Sequence, residues 1–210
     1  MKNAHNYFTQ EQQDKIVAAV KAAEANTSGE IVPMLVTASY DYPQADLIGG
    51  SSLALITAAL TSWGFGTASI WWFLPVFIVS MPLFQLLIRQ LPGLKRKLIS
   101  NQEMMTEVKE KAMVSFLEHN LHQTRDHTGI LILISLFERR VQVLADSGIN
   151  ACVDEKAWDE VVAMITDGLK HDQACEAICK AIAHCGTLLE TAVPQRQDDT
   201  DELRNLVIEE

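Results

Sequence analysis

The sequence lacks a basic surplus. Lys and Arg number 17 against 27 Asp and Glu, giving a formal net charge of -10 across 210 residues. Nucleic-acid binding begins with cations neutralising phosphates, so this balance argues against a nucleic-acid partner. The chain also lacks a Gly-rich phosphate loop of the Gly-Lys-Ser type and a dinucleotide fingerprint, and its motifs do not assemble a complete catalytic constellation. Cysteine is sparse, at four residues. These are expected in a reducing compartment, where disulfides are not the source of stability. No cleavable signal peptide is expected, because residues 1 to 30 are polar and hold no sustained apolar run.

The most informative absence is local. Leu47 to Ile88 forms 42 consecutive residues without Asp, Glu, Lys or Arg. A bilayer core takes roughly 20 apolar residues per helix, so this length suits two crossings. Thr61 to Thr67 supplies a turn-like segment between the two apolar halves, and Trp63, Trp71 and Trp72 cluster near it, as indoles do at a headgroup layer. Gly50, Ala54 and Ala58 recur every four residues and offer a close-packing face for the second helix. Pro75 and Pro82 would kink that helix, which membrane helices tolerate. A soluble core hairpin would instead leave Trp63, Trp71, Trp72, Phe65, Phe73, Phe77 and Phe84 to be enclosed by the rest of a small chain, a heavy burial demand.

Basic residues set the expected orientation. Arg89, Lys95, Arg96 and Lys97 follow the second crossing, the connecting loop carries no charge, and Asp41 and Asp46 precede the first crossing. The positive-inside rule places both termini in the cytosol, with the chain a multi-pass protein of a bacterial inner membrane.

Outside the apolar segment, Thr9 is expected to cap a helix with Gln12 at its third position and Ile16, Val17 and Val20 on its apolar stripe. Residues 31 to 37 read as a strand, in which Pro33 removes a ladder donor and favours an edge or irregular pairing. Residues 101 to 123 resume helical periodicity. Residues 130 to 136 and 141 to 145 read as strands joined by a tight turn, and helices follow around 155 to 169 and 173 to 189. A lone first strand and a marginal later hairpin cannot stand separately. Because two crossings return the chain to its starting side, all three strands can meet in one sheet. The expected fold class is therefore α/β: a small central sheet flanked by helices, with two transmembrane helices inserted after the first strand. In segments, residues 1–46 begin the α/β domain, 47–88 form the transmembrane hairpin, 89–100 a basic connector, 101–194 the rest of the domain, and 195–210 an acidic polar tail.

Several motifs in this order resemble the TPM domain family, named after a thylakoid lumen protein, a photosystem II repair protein and a modulator of nicotinic receptors. They are Glu24-Ala-Asn-Thr27-Ser-Gly29-Glu30-Ile31, Lys111-Ala112, Phe116, Thr124-Arg125, Gly129-Ile130-Leu131-Ile132, Glu138-Arg139-Arg140-Val141, Ala145-Asp146-Ser147-Gly148-Ile149-Asn150, Trp158, Gly186, Leu188-Leu189, Pro194 and Glu202-Leu203. The resemblance spans nearly all of the chain outside the apolar hairpin. It implies an α/β sandwich with a small central sheet, and a family history of proposed acid phosphatase activity, calcium association, and roles in assembling or repairing membrane complexes. The inserted hairpin departs from the family arrangement in which an exported domain is tethered at its end, so a luminal or periplasmic role does not transfer.

Asp146 is the first candidate for a functional carboxylate, because it ends a strand and precedes Ser147-Gly148, where ligand loops emerge in α/β sheets. Glu30 and Asp154 are candidate companions. With turn carbonyls, these three would offer the oxygen ligands that calcium or magnesium takes; the sequence establishes no cofactor beyond that suggestion. The plainer reading makes Asp146 an Asx turn, Glu30 an ion-pair partner and Asp154 a helix cap. Arg125 and Arg139 are candidate anion contacts, against ordinary solvation at a turn. His171, Cys175 and Cys179 share one helical stripe, but their span of about 12 Å is too long for one zinc ion, which favours buried thiols. Two functional readings stand. One is a binding or assembly module for a membrane-associated protein partner, held at the lipid bilayer. The other is a divalent-metal-dependent phosphatase-like hydrolase acting on a phosphomonoester.

Overall fold

The computed structural model describes residues 3–66, 69–196 and 202–209. Along the chain run α1 (Gln10–Glu24), β1 (Glu30–Val36), α2 (Pro43–Gly64), α3 (Ile70–Gln90), α4 (Pro92–Lys97) and α5 (Asn101–Glu118). They are followed by β2 (Gly129–Ser135), β3 (Arg140–Ala145), α6 (Ser147–Asn150), α7 (Glu155–Lys170), α8 (Ala174–Ala192) and β4 (Val207–Glu209). Two compact units divide the chain: Asp41–Met104, and Lys2–Tyr40 with Met105–Glu210. The protein is mixed α/β, with a four-stranded sheet flanked by helices and two apolar helices after the first strand.

The sheet order is β3-β2-β1-β4. β1 pairs parallel with β2 over seven residue pairs, from Glu30↔Gly129 to Val36↔Ser135, and parallel with β4 from Met34↔Val207. β2 pairs antiparallel with β3, bringing Ile130 opposite Ala145. Every residue of β1 and β2 is buried, which is why both read as continuous apolar runs, whereas β3 alternates. On one face, Ile31, Leu35, Ile130, Ile132 and Ile134 pack in a core with Ile16 and Val20 of α1, Trp158, Val161 and Ile165 of α7, and Ile178, Ile182 and Leu189 of α8. On the other face, Val32, Met34, Val36, Leu131 and Leu133 meet Val108 and Ala112 of α5. The capping box on α1 forms as expected: Thr9 Oγ1 accepts from Gln12 N, and Gln12 Oε1 accepts from Thr9 N.

The edge expected at Pro33 is present locally: β1 is an interior strand, but β4 joins only from Met34 onward and leaves that side of β1 unladdered at the imino residue. Two expectations need correction. The tail is not wholly surface, since β4 completes the sheet with Val207 buried; its residues 197–201 lie outside the described ones. The turn between the apolar helices is shorter than Thr61 to Thr67, because α2 continues to Gly64; Thr67 also lies outside the described residues.

In the Asp41–Met104 unit, α2 and α3 are long and apolar enough to cross a membrane, as in a membrane protein. Ala54 and Ala58 are fully buried, and a Cβ on Gly50 would stand 2.9 Å from Gln85 N, so the small-residue stripe is where α3 packs. The outward surfaces are apolar: Trp63 is 83% exposed and Trp71 84%, joined by Leu55, Ile56, Ile78 and Leu83. In water each exposed large side chain of this kind forgoes roughly 1.5–3 kcal/mol of burial, a cost that hydrocarbon removes.

Candidate functional site

The register gathers the candidate residues at one end of the sheet. β1 and β2 begin there and the antiparallel β3 finishes there, so Glu30, the 124–128 turn and Asp146 become neighbours in the ladder. Asp146 N donates to Gly129 O at 2.9 Å. Its Oδ1 accepts from Ser147 N at 2.6 Å and Ser147 Oγ at 3.2 Å, capping α6, while its Oδ2 lies 3.2 Å from His127 Nδ1. The Asp146 side chain is 13% exposed and that of His127 is 61%, so the imidazole faces solvent from a largely enclosed carboxylate.

Backbone geometry fixes this pair. His127 has φ 56°, a left-handed conformation that costs a non-glycine residue on the order of 1 kcal/mol and must be held by its surroundings. His127 N donates to Thr124 O, Thr128 N donates to Thr124 Oγ1 at 2.9 Å, and Thr128 Oγ1 donates to Ser28 O at 2.8 Å. Gly148 N donates to His127 O at 3.0 Å, and a Cβ on Gly148 would stand 2.7 Å from that same oxygen. Only glycine permits the approach of α6 to the turn.

The segment after α8 folds over the same end. Thr27 Oγ1 donates to Val193 O at 2.5 Å, Arg196 N donates to Ser28 Oγ at 3.1 Å, and the Arg196 guanidinium meets Asp126 Oδ2 at 2.6 Å. Glu30, 7% exposed, accepts from Glu202 N at 3.2 Å, and Glu202 Oε2 accepts from Arg125 N at 3.2 Å. Glu24 Oε1 accepts from Ile31 N at 2.8 Å. The Glu24 to Ile31 stretch is therefore a set of clasps between the start of β1 and the chain leaving α8.

Asp146 and Glu30 thus share a sheet end. Asp154 instead caps α7, accepting from Lys156 N at 3.0 Å. Arg125 uses its main-chain N–H on Glu202, and Arg139 sits in the β2–β3 turn at φ 52°, at the opposite end of β3 from Asp146. Each carboxylate of the proposed metal set closes contacts of its own, and among the described residues no three His, Cys, Asp or Glu groups are placed to hold a metal ion. His127, Asp126 and Arg196 are additions that sequence reasoning missed, and Glu202, quoted there only as a resemblance motif, joins them at the site. His127 and Asp146 are 19 residues apart, and only the antiparallel register brings them together.

Cys185 is buried in the core, Cys175 and Cys179 are half-buried against it rather than fully enclosed, and Cys152 is exposed. Burial pushes the Cys185 thiol up to about 12. Burial, with the neighbouring Cys175, pushes Cys179 up to about 11. Cys175 donates weakly to Gln12 O at 3.7 Å, and His171 turns to the Asp167 carbonyl.

No protein-family model and no curated protein matches the chain. Among solved structures it is similar to the BA42 protein of the psychrophilic bacterium Bizionia argentinensis, known by NMR, at 21% identity with a TM-score of 0.59. The alignment covers 97% of this chain and 95% of that one. The likeness is one of fold.

Proposed function

We propose that the chain is a membrane-anchored, TPM-like protein of a bacterial inner membrane, whose cytosolic α/β unit is a binding or assembly module for a membrane-associated protein. The observation that carries this reading is the parallel pairing of β1 with β2 across seven residue pairs, although two membrane-length helices separate them in sequence. Two crossings return the chain to the face it left, which leaves both strands in one compartment; Arg89, Lys95, Arg96 and Lys97 favour the cytosolic one. The TPM resemblance is supported by the local roles of its motifs, with Glu24 clasping β1 and Asp146 capping α6. A module is favoured over an enzyme because Asp146, Glu30 and Asp154 are engaged in capping and clasping. Crosslinking in intact membranes followed by copurification tests the reading: it predicts one reproducible protein partner, and repeated recovery of the chain alone contradicts it.

The second reading, a divalent-metal-dependent phosphomonoester hydrolase, draws on one observation: an exposed imidazole paired with Asp146 beside the Asp126–Arg196 ion pair. In the hydrolase reading the imidazole moves a proton and the guanidinium orients an anion. Asp146, Glu30 and Asp154 do not form one cation cage as they stand. Phosphomonoester assays with and without calcium or magnesium decide it, since activity unchanged by Asp146→Asn removes this site from the reaction.

A further inference from the structure

Resting on the reading that α2 and α3 span a bilayer, we infer that α4 is an interfacial helix that selects anionic phospholipids. The sequence from Arg89 to Lys97 carries four cations and no acid in a chain of net charge -10. It continues directly from the second apolar helix, so it emerges where the headgroups begin. Leu91, Leu94 and Leu98 are 45%, 41% and 44% exposed. Leu94 lies within α4, and Leu91 and Leu98 are the residues that cap it, with the Leu98 side chain next to Gly49 of α2. Three exposed leucines within and at the two ends of one short helix have no solvent rationale, but they match the acyl boundary that amphipathic interfacial helices enter.

The four cations are not equivalent. Lys95 is buried and occupied by Asp46 and the Asp41 carbonyl, so it belongs to the protein's own packing. Arg89, in the last turn of α3, and Lys97, at the end of α4, are exposed. A basic residue at an anionic surface gains on the order of a fivefold preference, so two of them discriminate an acidic headgroup from a zwitterionic one. The occupant is thus an anionic lipid whose phosphate meets Arg89 or Lys97 while its chains lie against the leucines.

The full-length chain, reconstituted in phosphatidylcholine vesicles with and without phosphatidylglycerol, tests the inference through spin-labelled lipids. The expected result is enrichment of labelled phosphatidylglycerol at the protein by roughly fivefold to tenfold over phosphatidylcholine. Raising the salt should reduce it, and Arg89→Gln with Lys97→Gln should bring it near unity. Equal occupancy by the two lipids overturns the inference, as does selectivity that survives the double substitution. Alkaline washing of the same vesicles separates the two levels. Retention of the chain without lipid selectivity overturns only the role of α4, whereas release of the chain overturns the membrane reading with it.

Discussion

Lys95 Nζ donates to Asp46 Oδ2 at 2.9 Å and to the Asp41 carbonyl at 2.5 Å, so one buried ammonium ties the first turn of α2 to α4. The other carboxylate oxygen of Asp46 is buried and has no hydrogen-bond partner among the described residues, so the ammonium is what balances its charge. Asp46 also sits in the first turn of α2, where the helix dipole favours an anion. Lys95→Met should therefore strand a buried charge and destabilise the hairpin by about 2–3 kcal/mol, less than a wholly enclosed pair because both groups keep some exposure. Adding Asp46→Leu should recover much of the loss. Thermal unfolding in detergent reads both, and equal losses in the single and double variants would contradict the pairing.

The hairpin's close packing gives a second outcome. Gly50→Ile places a branched side chain against the Gln85 backbone, which has no rotamer to yield. The α2–α3 contact should open, with a loss of about 1–3 kcal/mol or more. Gly50→Ala should fall between this variant and wild type. Inter-helix crosslinking yield is the readout, and an unaltered yield in Gly50→Ile would count against the observed seam.

β4 is clipped to α5 and the turn after it by one carboxylate. Glu209 Oε2 meets Lys111 Nζ and Oε1 meets His119 Nε2, each at 3.0 Å. Burial alone would raise the Glu209 carboxyl, but the bonds and charges of Lys111 and His119 outweigh it and hold the group below its ordinary 4.5. A lowered folded-state value stabilises the fold above the ordinary value and withdraws that stability as pH falls through the lowered one. Amide exchange in β4 should thus accelerate as pH drops below about 4.5, after correction for intrinsic rates. Glu209→Gln should exchange faster already at neutral pH and lose that acid-dependent step.

Much of this architecture was legible because its causes are local. The Thr9 capping box, the apolar runs of β1 and β2, and the Gly50-Ala54-Ala58 stripe each follow from spacing alone. β4 was not legible, since three residues after an acidic stretch carry no periodicity, and its place depends on Glu209 reaching α5 from far along the chain. The candidate site was half legible. Asp146 stands out at a strand end, but its partner His127 lies 19 residues away in sequence, and only the β2–β3 register sets the two side by side. Pro33 marked a local edge but not the strand's place in the sheet: proline excludes a donor at one position, and a partner strand can simply start one residue later.

Asp146 separates scaffold from site. Asp146→Ala removes the cap of α6 and should cost about 1 kcal/mol, whereas Asp146→Asn retains an accepting oxygen and should cost less. Calcium titration followed by heteronuclear NMR asks the other question. Localised shifts at Asp146, Glu30 and Asp154 would support a cation role for these three carboxylates, and an unchanged spectrum there would confine them to capping and clasping.

The central claim is that α2 and α3 carry the chain across a bilayer and back. Membrane-impermeant maleimide labelling of sealed, right-side-out vesicles tests it most directly, with single thiols at native Cys152, at Asn3→Cys and at Gly64→Cys, each in a background whose other cysteines are replaced by serine. The account predicts that Cys152 and position 3 label only after permeabilisation, while position 64 labels from outside. Labelling of position 3 and Cys152 from opposite faces would contradict it.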